Sequence, residues 1–200
     1  MILYGASGHA RVIRDILISE GKEIKAFFDD NQNLNIFESI PVYRYDKNLY
    51  PNEQVIISIG NNLIRKRLSL LVSHNFGNGF HKTSIIGSYV KIEIGTVLMQ
   101  GSIVQSNVQI GKHVIINTAA TVDHDCVIND FVHISPNATL CGNVIVGEGT
   151  QIGAGSTIIP GVKIGMWCTI GAGTVVINDV PDYGVVVGNP ARIIKYNNIL

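Results

Sequence analysis

Charge is scarce in this chain. Of its 200 residues, 15 are basic and 15 acidic, 15% in all, and the formal net charge is zero. Average domains carry about 25% charged residues. With no excess of positive charge, nothing points to capture of nucleic acid or of an anionic membrane surface. No run approaches the roughly 18 apolar residues of a membrane span. The opening Ile2-Leu3-Tyr4, followed by glycine, Arg11 and Arg14, lacks the pattern of a secretion signal. Three cysteines cannot all pair with one another, and none sits in a CxxC, so they read as reduced thiols and the expected compartment is the cytoplasm. GxSxG is also missing, which leaves no nucleophile elbow. What the chain does have is 46% apolar residues and 21 glycines. That content excludes a disordered chain.

A period of six dominates the second half. From Ile86 to Val176 every sixth residue, sixteen in all, is Ile, Leu or Val. The residue two before each of them, from Ser84 to Thr174, is small or β-branched. Glycine follows the aliphatic at positions 87, 111, 147, 153, 165 and 171, where it is expected to ease a turn. This period belongs neither to a helix nor to a two-sided strand. It is the hexapeptide signature of a parallel β-helix, in which three hexapeptides close one triangular coil. Residues 84–179 then make a little over five coils. Resemblance to hexapeptide-repeat proteins implies a left-handed coil, an exception to the right-handed crossover rule.

The first eighty residues read differently. Ile2–Tyr4 is a short strand, Gly5-Ala6-Ser7-Gly8-His9 a glycine turn, and Ala10–Ile18 a helix with apolar residues at 12, 13, 16 and 17. Strand, glycine turn and helix open a nucleotide-binding α/β unit. Ile24–Phe28 reads as a second strand ending in Asp29-Asp30, and Gln54–Ile59 as a third leading to Gly60-Asn61-Asn62. Ile64–Val72 reads as a second helix, basic on one face through Arg65, Lys66 and Arg67, with an extra short strand near Ile40–Tyr43. The expected architecture is a small Rossmann-like α/β domain over residues 1–82, followed by a left-handed parallel β-helix with a C-terminal tail over 83–200.

Polar residues that interrupt the hexapeptides are the candidates for chemistry. Asp123-His124-Asp125 replaces the usual small corner after Val122. With 18 residues per coil, Gly142 stacks above His124 and Ser106 below it. A glycine there leaves room over the imidazole and an uncovered backbone N–H, which suits acyl transfer by a base beside an oxyanion donor. The alternative is a plain surface corner histidine. Either neighbouring carboxylate can orient the ring, although neighbours along a strand point to opposite faces. Zinc needs three or four converging ligands. His113, His124 and His133 include no closely spaced pair, so no metal is expected. Cys126 and Cys168 fall at small inward positions and read as packed thiols.

Taken together, Tyr4-Gly-Ala-Ser-Gly-His9, Asp29-Asp30, Ile59-Gly-Asn-Asn62, Asn117, the His-acidic pair at 124–125, His133, Gly142-Asn143 and Gly188-Asn-Pro-Ala-Arg192 resemble the PglD type of bacterial nucleotide-4-amino-sugar N-acetyltransferases. The resemblance runs from residue 2 to about 195 and extends to sialic acid O-acetyltransferase relatives. It implies a homotrimer with acetyl-CoA in a groove between neighbouring β-helices and a UDP- or GDP-linked amino sugar held by the α/β domain. By that likeness His124 is the general base, Asp125 orients it with Asp123 as a rival, Gly142 N–H polarises the thioester carbonyl, and Asn117 and His133 line the reacting centre. Gly8, His9, Asp29, Asp30 and Asn62 fall near the nucleotide sugar. Ala154, Gly155, Gly171 and Ala172 lie along the coenzyme groove with Gly142, and Arg192 and Lys195 meet coenzyme phosphates. Sialic acid O-acetylation is the alternative activity, and a non-catalytic trimeric scaffold the alternative class.

Overall fold

The computed structural model describes residues 1–198. Its first part is a small sheet built from β1 (Ile2–Tyr4), β2 (Ala26–Phe28), β3 (Ile36–Phe37), β4 (Ile40–Tyr43) and β5 (Val55–Ile57) in the order β3-β4-β2-β1-β5. β1 pairs in parallel with β2 and β5, β2 in parallel with β4, and only β3 runs antiparallel. β1, β2 and β5 are buried along their whole length. Strands covered on both faces read as unbroken apolar runs, which is how these three are written. The chain leaves β1 toward β2 on one side and later returns as β5 on the other. A ligand crevice forms at such a switch point. Gly5, with φ +108°, closes β1, and a Cβ there would lie 2.7 Å from Ile59 Cγ1.

Helix α1 (Gly8–Ser19) covers one face of the sheet, and α2 (Asn62–Leu71) lies against the other. Both expected helices are present with slightly different ends. The single basic face expected on α2 is not. Successive helix residues point about 100° apart, so Arg65 turns inward to 1% exposure while Arg67 faces solvent.

The second part is the β-helix, whose two-residue strands repeat every six residues in three parallel faces. Face 1 holds the six strands from Ile85–Ile86 to Val175–Val176, and face 2 the five from Lys91–Ile92 to Lys163–Ile164. Face 3 begins at β6 (Gly79–Phe80) and passes through Val97–Leu98, Ile115–Ile116, His133–Ile134, Gln151–Ile152 and Thr169–Ile170. It ends with Gly184–Val187 and an antiparallel strand, Arg192–Tyr196. Partners are 18 residues apart, as in Thr121 with Thr139, up to the last coil, where Thr169 and Ile170 pair with Val185 and Val186, 16 residues on. The aliphatic of each hexapeptide and the small residue two before it both point inward. From Val104 to Val176 the aliphatics and most of their companions form one apolar column, with Thr150, Ser156 and Thr174 buried as its polar members. Each buried Val, Leu or Ile contributes about 1.5–3 kcal/mol. The fold is the expected α/β unit followed by a left-handed parallel β-helix.

The α/β unit rests on face 3. Leu3, Ile13, Ile16, Leu17 and Phe27 share one core with Val97, Met99 and Ile115 of that face.

The turns are made differently from the expectation. Every sixth residue from Tyr89 to Gly173 has a positive φ, and nine of these fifteen are not glycine. The corner therefore sits three residues after the aliphatic. The glycines immediately after it serve another purpose, close stacking of coils. A Cβ on Gly147 would stand 2.5 Å from the Gly165 carbonyl carbon and from Met166 N.

Candidate active site

His124 occupies the corner between Thr121–Val122 of face 1 and Val127–Ile128 of face 2. Its Nδ1 lies 2.8 Å from Asp125 Oδ2. The left-handed conformation of Asp125, φ +61°, turns that carboxylate back onto the ring, which resolves the problem of opposite-facing neighbours. Asp123 does something else: its Oδ1 accepts the backbone N–H of His124 at 2.8 Å. Asp125 Oδ1 accepts from Asn107 Nδ2 at 2.6 Å, one coil below. Stepping back 18 residues from Asp125 finds Asn107 in the sequence, but sequence reasoning missed it.

A carboxylate on Nδ1 places the ring proton there and leaves the Nε2 lone pair free to accept. The Asp125 hydrogen bond, then the charge of Asp123, hold the imidazole above its ordinary value. The bonds from Asn107 and His124 hold the Asp125 carboxyl below its own. Both side chains are about half exposed. Gly142 lies against the ring, and a Cβ on it would be 2.6 Å from His124 Cε1 and 2.7 Å from Nε2. The predicted stacking is seen directly, since Asn143 N–H donates to His124 O and Asp125 N–H to Ser106 O.

A second constellation gathers where face 3 meets the α/β unit. His133 Nε2 accepts from Asn117 Nδ2 at 2.9 Å, while Nδ1–H points to Gly60 O at 3.3 Å. The Asn117 amide is oriented by Thr118 N–H, which donates to its Oδ1. The His9 ring lies 6.3 Å from that of His133. Burial first, then the positive Arg65, push His133 down to about 3 and His9 to about 4, so both rings are neutral at pH 7. Gly8, exposed, opens α1, and no side-chain cap satisfies the first-turn N–H groups there. Asp29 and Asp30 follow β2. Asp29 accepts from Ala6 N–H and Asn31 N–H, and Asp30 from the Tyr4 hydroxyl. Asn62 stands apart. Its amide is 7% exposed and donates to Gly149 O and Thr150 O of the β-helix.

The third set is elsewhere again. Ala154 and Ala172 stack at the edge between faces 3 and 1, with Gly173 N–H donating to Ala154 O. Gly155 is exposed beside them and Gly171 half-buried. Arg192 and Lys195 are exposed on the terminal antiparallel strand. In a triangular coil, face 3 lies across from the corner that carries His124. One chain therefore does not bring His124 together with His133 or with Ala154 and Ala172. Among the described residues, no group of three or more His, Cys, Asp or Glu is placed to hold a metal. No helix there is long and apolar enough to cross a membrane.

A hexapeptide β-helix with a carboxylate-held histidine packed on a glycine defines an acyltransferase of the hexapeptide class. The model of the PglD N-terminal domain matches residues 1–70, and that of the bacterial transferase hexapeptide matches 125–159 and 143–178. Among solved structures, PerB from Caulobacter crescentus, in complex with CoA and GDP-perosamine, is 32% identical with a TM-score of 0.91, over 97% of this chain and 96% of that one. The acetyltransferase domain of PglB from Neisseria gonorrhoeae is 34% identical with a TM-score of 0.90, over 96% and 98%. WeeI from Acinetobacter baumannii is 31% identical with a TM-score of 0.87, over 96% and 98%. The chain belongs to the PglD-type family of nucleotide-amino-sugar acetyltransferases. A curated relative, the uncharacterized protein L142 of Acanthamoeba polyphaga mimivirus, is 33% identical over 71 residues. That match covers 34% of this chain and 14% of the viral protein.

Proposed function

We propose that this chain transfers the acetyl group of acetyl-CoA to the 4-amino group of a UDP- or GDP-linked amino-deoxysugar, with residues 1–82 holding the sugar nucleotide and residues 83–200 carrying out the transfer. The observation that carries the reading is the Asp125–His124 pair packed on Gly142. His124 Nε2 accepts a proton from the amine as its nitrogen bonds to the thioester carbon. Gly142 N–H donates to the oxyanion that develops on the carbonyl oxygen. Collapse then breaks the carbon–sulfur bond, and the imidazolium returns its proton to the leaving thiolate. A thioester is already activated, so positioning and charge stabilisation suffice without a covalent enzyme intermediate.

The neutral His133 and the Asn117 amide line the reacting centre from a second copy of the chain, with Gly8, His9, Asp29 and Asp30 contacting the nucleotide sugar. Ala154, Gly155, Gly171 and Ala172 lie along the coenzyme, and Arg192 and Lys195 meet its phosphates. Two observations support assembly, here as a homotrimer. The candidate residues sit on opposite sides of one β-helix, and the outward positions Ile103, Thr121, Thr139, Thr157 and Val175 of face 1 carry no charge. Asn62 holds α2 to the β-helix and acts on the substrate only through that scaffold.

Thiol release from acetyl-CoA is the test, with UDP- and GDP-4-amino-4,6-dideoxysugars beside CMP-sialic acid and free sialic acid. Release with one amino sugar is expected and identifies the nucleotide. Release only with the sialic acids would move the activity to a hydroxyl acceptor.

The pH profile checks the base. His124 must be neutral to accept a proton, so kcat rises as pH passes its raised pKa. Asp125→Asn removes the cause of that rise. The acid limb of kcat is then expected at lower pH than in the native enzyme, with a plateau roughly tenfold or more below it because the ring is less basic and less well held. An unmoved limb would mean that another group titrates.

A further inference from the structure

Arg65 is absent from the transfer chemistry above, yet it is the largest fully buried side chain, at 1% exposure. A guanidinium has five N–H donors, and all five are used. Nε donates to His113 O at 2.8 Å, and Nη1 to Ile59 O and Gly60 O, each at 3.1 Å. Nη2 donates to Asn62 Oδ1 at 2.9 Å and Phe131 O at 2.8 Å. None of the five acceptors is a carboxylate. A buried charge without a counter-ion is unusual. What it achieves is geometric. Ile59 and Gly60 belong to the loop between β5 and α2, while His113 and Phe131 occupy the same corner of successive β-helix coils. One planar cation thus fixes that loop against two coils, and Asn62 extends the grip to Gly149 in the next.

Gly60 O has a second donor. It is the carbonyl toward which His133 Nδ1–H points, at 3.3 Å. We propose that Arg65 is a positioning residue that fixes the Gly60 carbonyl under His133, keeping the imidazole proton on Nδ1 and leaving Nε2 as the acceptor beside Asn117. The consequence for turnover rests on the reading above that His133 lines the reacting centre. The groups facing His133 are the Arg65 guanidinium from α2, the neutral His9 from α1, the Gly60 carbonyl and the Asn117 amide. Lysine cannot replace the fork, because its three donors hold at most three of the five acceptors.

The test is nitrogen-15 NMR of the histidines, read beside steady-state kinetics. In the native protein, His133 is expected as the Nδ1–H tautomer, without titrating between pH 5 and 8. In Arg65→Met its two ring nitrogen signals should average, and its pKa should rise from about 3 toward the ordinary imidazole range. In that variant kcat is expected to fall roughly tenfold or more, while KM for acetyl-CoA stays within about threefold. Arg65→Lys should keep the ring neutral but not the single tautomer. A native His133 protonated on Nε2, or an Arg65→Lys protein with an unchanged tautomer, overturns the proposal, and both remain readable if the methionine variant does not fold. A shifted tautomer with unchanged kcat would leave Arg65 in its positioning role and remove His133 from the reaction.

Discussion

Replacing His124 with alanine is expected to lower kcat by about 10²–10⁴-fold, the range for a lost general base. KM for acetyl-CoA should barely change, and neither should the melting temperature. The ring is half exposed at a corner, and the apolar column runs behind it through Val122 and Cys126. The size of the loss follows from the geometry. Nothing else among the described residues at that corner is placed to accept a proton, since Asp125 is committed to the ring and to Asn107, and Asp123 to the backbone. The same variant also tests whether the centre is shared between copies. Mixed with inactive His133→Ala chains and refolded together, it should regain activity, at about one site in four of a randomly mixed cyclic assembly. Native-like turnover in His124→Ala rejects it as the base, and no recovery on mixing rejects the two-copy centre.

Gly142→Ala should cost kcat about 10²-fold with His124 intact. The added methyl would lie 2.6 Å from Cε1 of the imidazole, closer than carbon atoms approach. The half-exposed ring yields more easily than the stacked backbone, so it swings outward and breaks the 2.8 Å contact with Asp125. The methyl also shields the N–H proposed to meet the oxyanion, and loss of one such donor alone costs about 10²–10³-fold. Because the backbone of Gly142 is not in the left-handed region, the coil itself accepts alanine. Full activity in a correctly folded Gly142→Ala protein would show that the packing of the ring on this glycine does not matter.

The strongest regularity was the easiest to read. An apolar period of six with a fixed companion two residues earlier specifies a β-helix, because no other repeat turns both positions inward. The stacking of Gly142 on His124 followed from adding 18. Two things escaped. The glycines after the aliphatic read as turn residues, whereas the turns fall three residues after it, at Asn107, Asp125 and Asn143, whose types favour a positive φ, but also at Phe131 and Trp167, whose types do not. Arg65, Lys66 and Arg67 read as one basic face because three consecutive cations look alike in a sequence. Only the partner surface, five acceptors drawn from four chain segments, shows that one of them is buried. The separation of His124 from His133 was likewise legible only once strands were assigned to faces.

The shared core of the α/β unit and face 3 carries a dynamic consequence. A hinge motion between the two parts would have to uncover Ile13, Leu17, Val97 and Met99. At about 1.5–3 kcal/mol per large apolar side chain, such an opening is rarely populated on the time scale of turnover. Many enzymes gate their chemistry by closing one domain on another. This chain gives up that option. Within each chain the crevice of the α/β unit is held at a fixed position over face 3, so a sugar nucleotide bound there is presented to the β-helix without a domain closure.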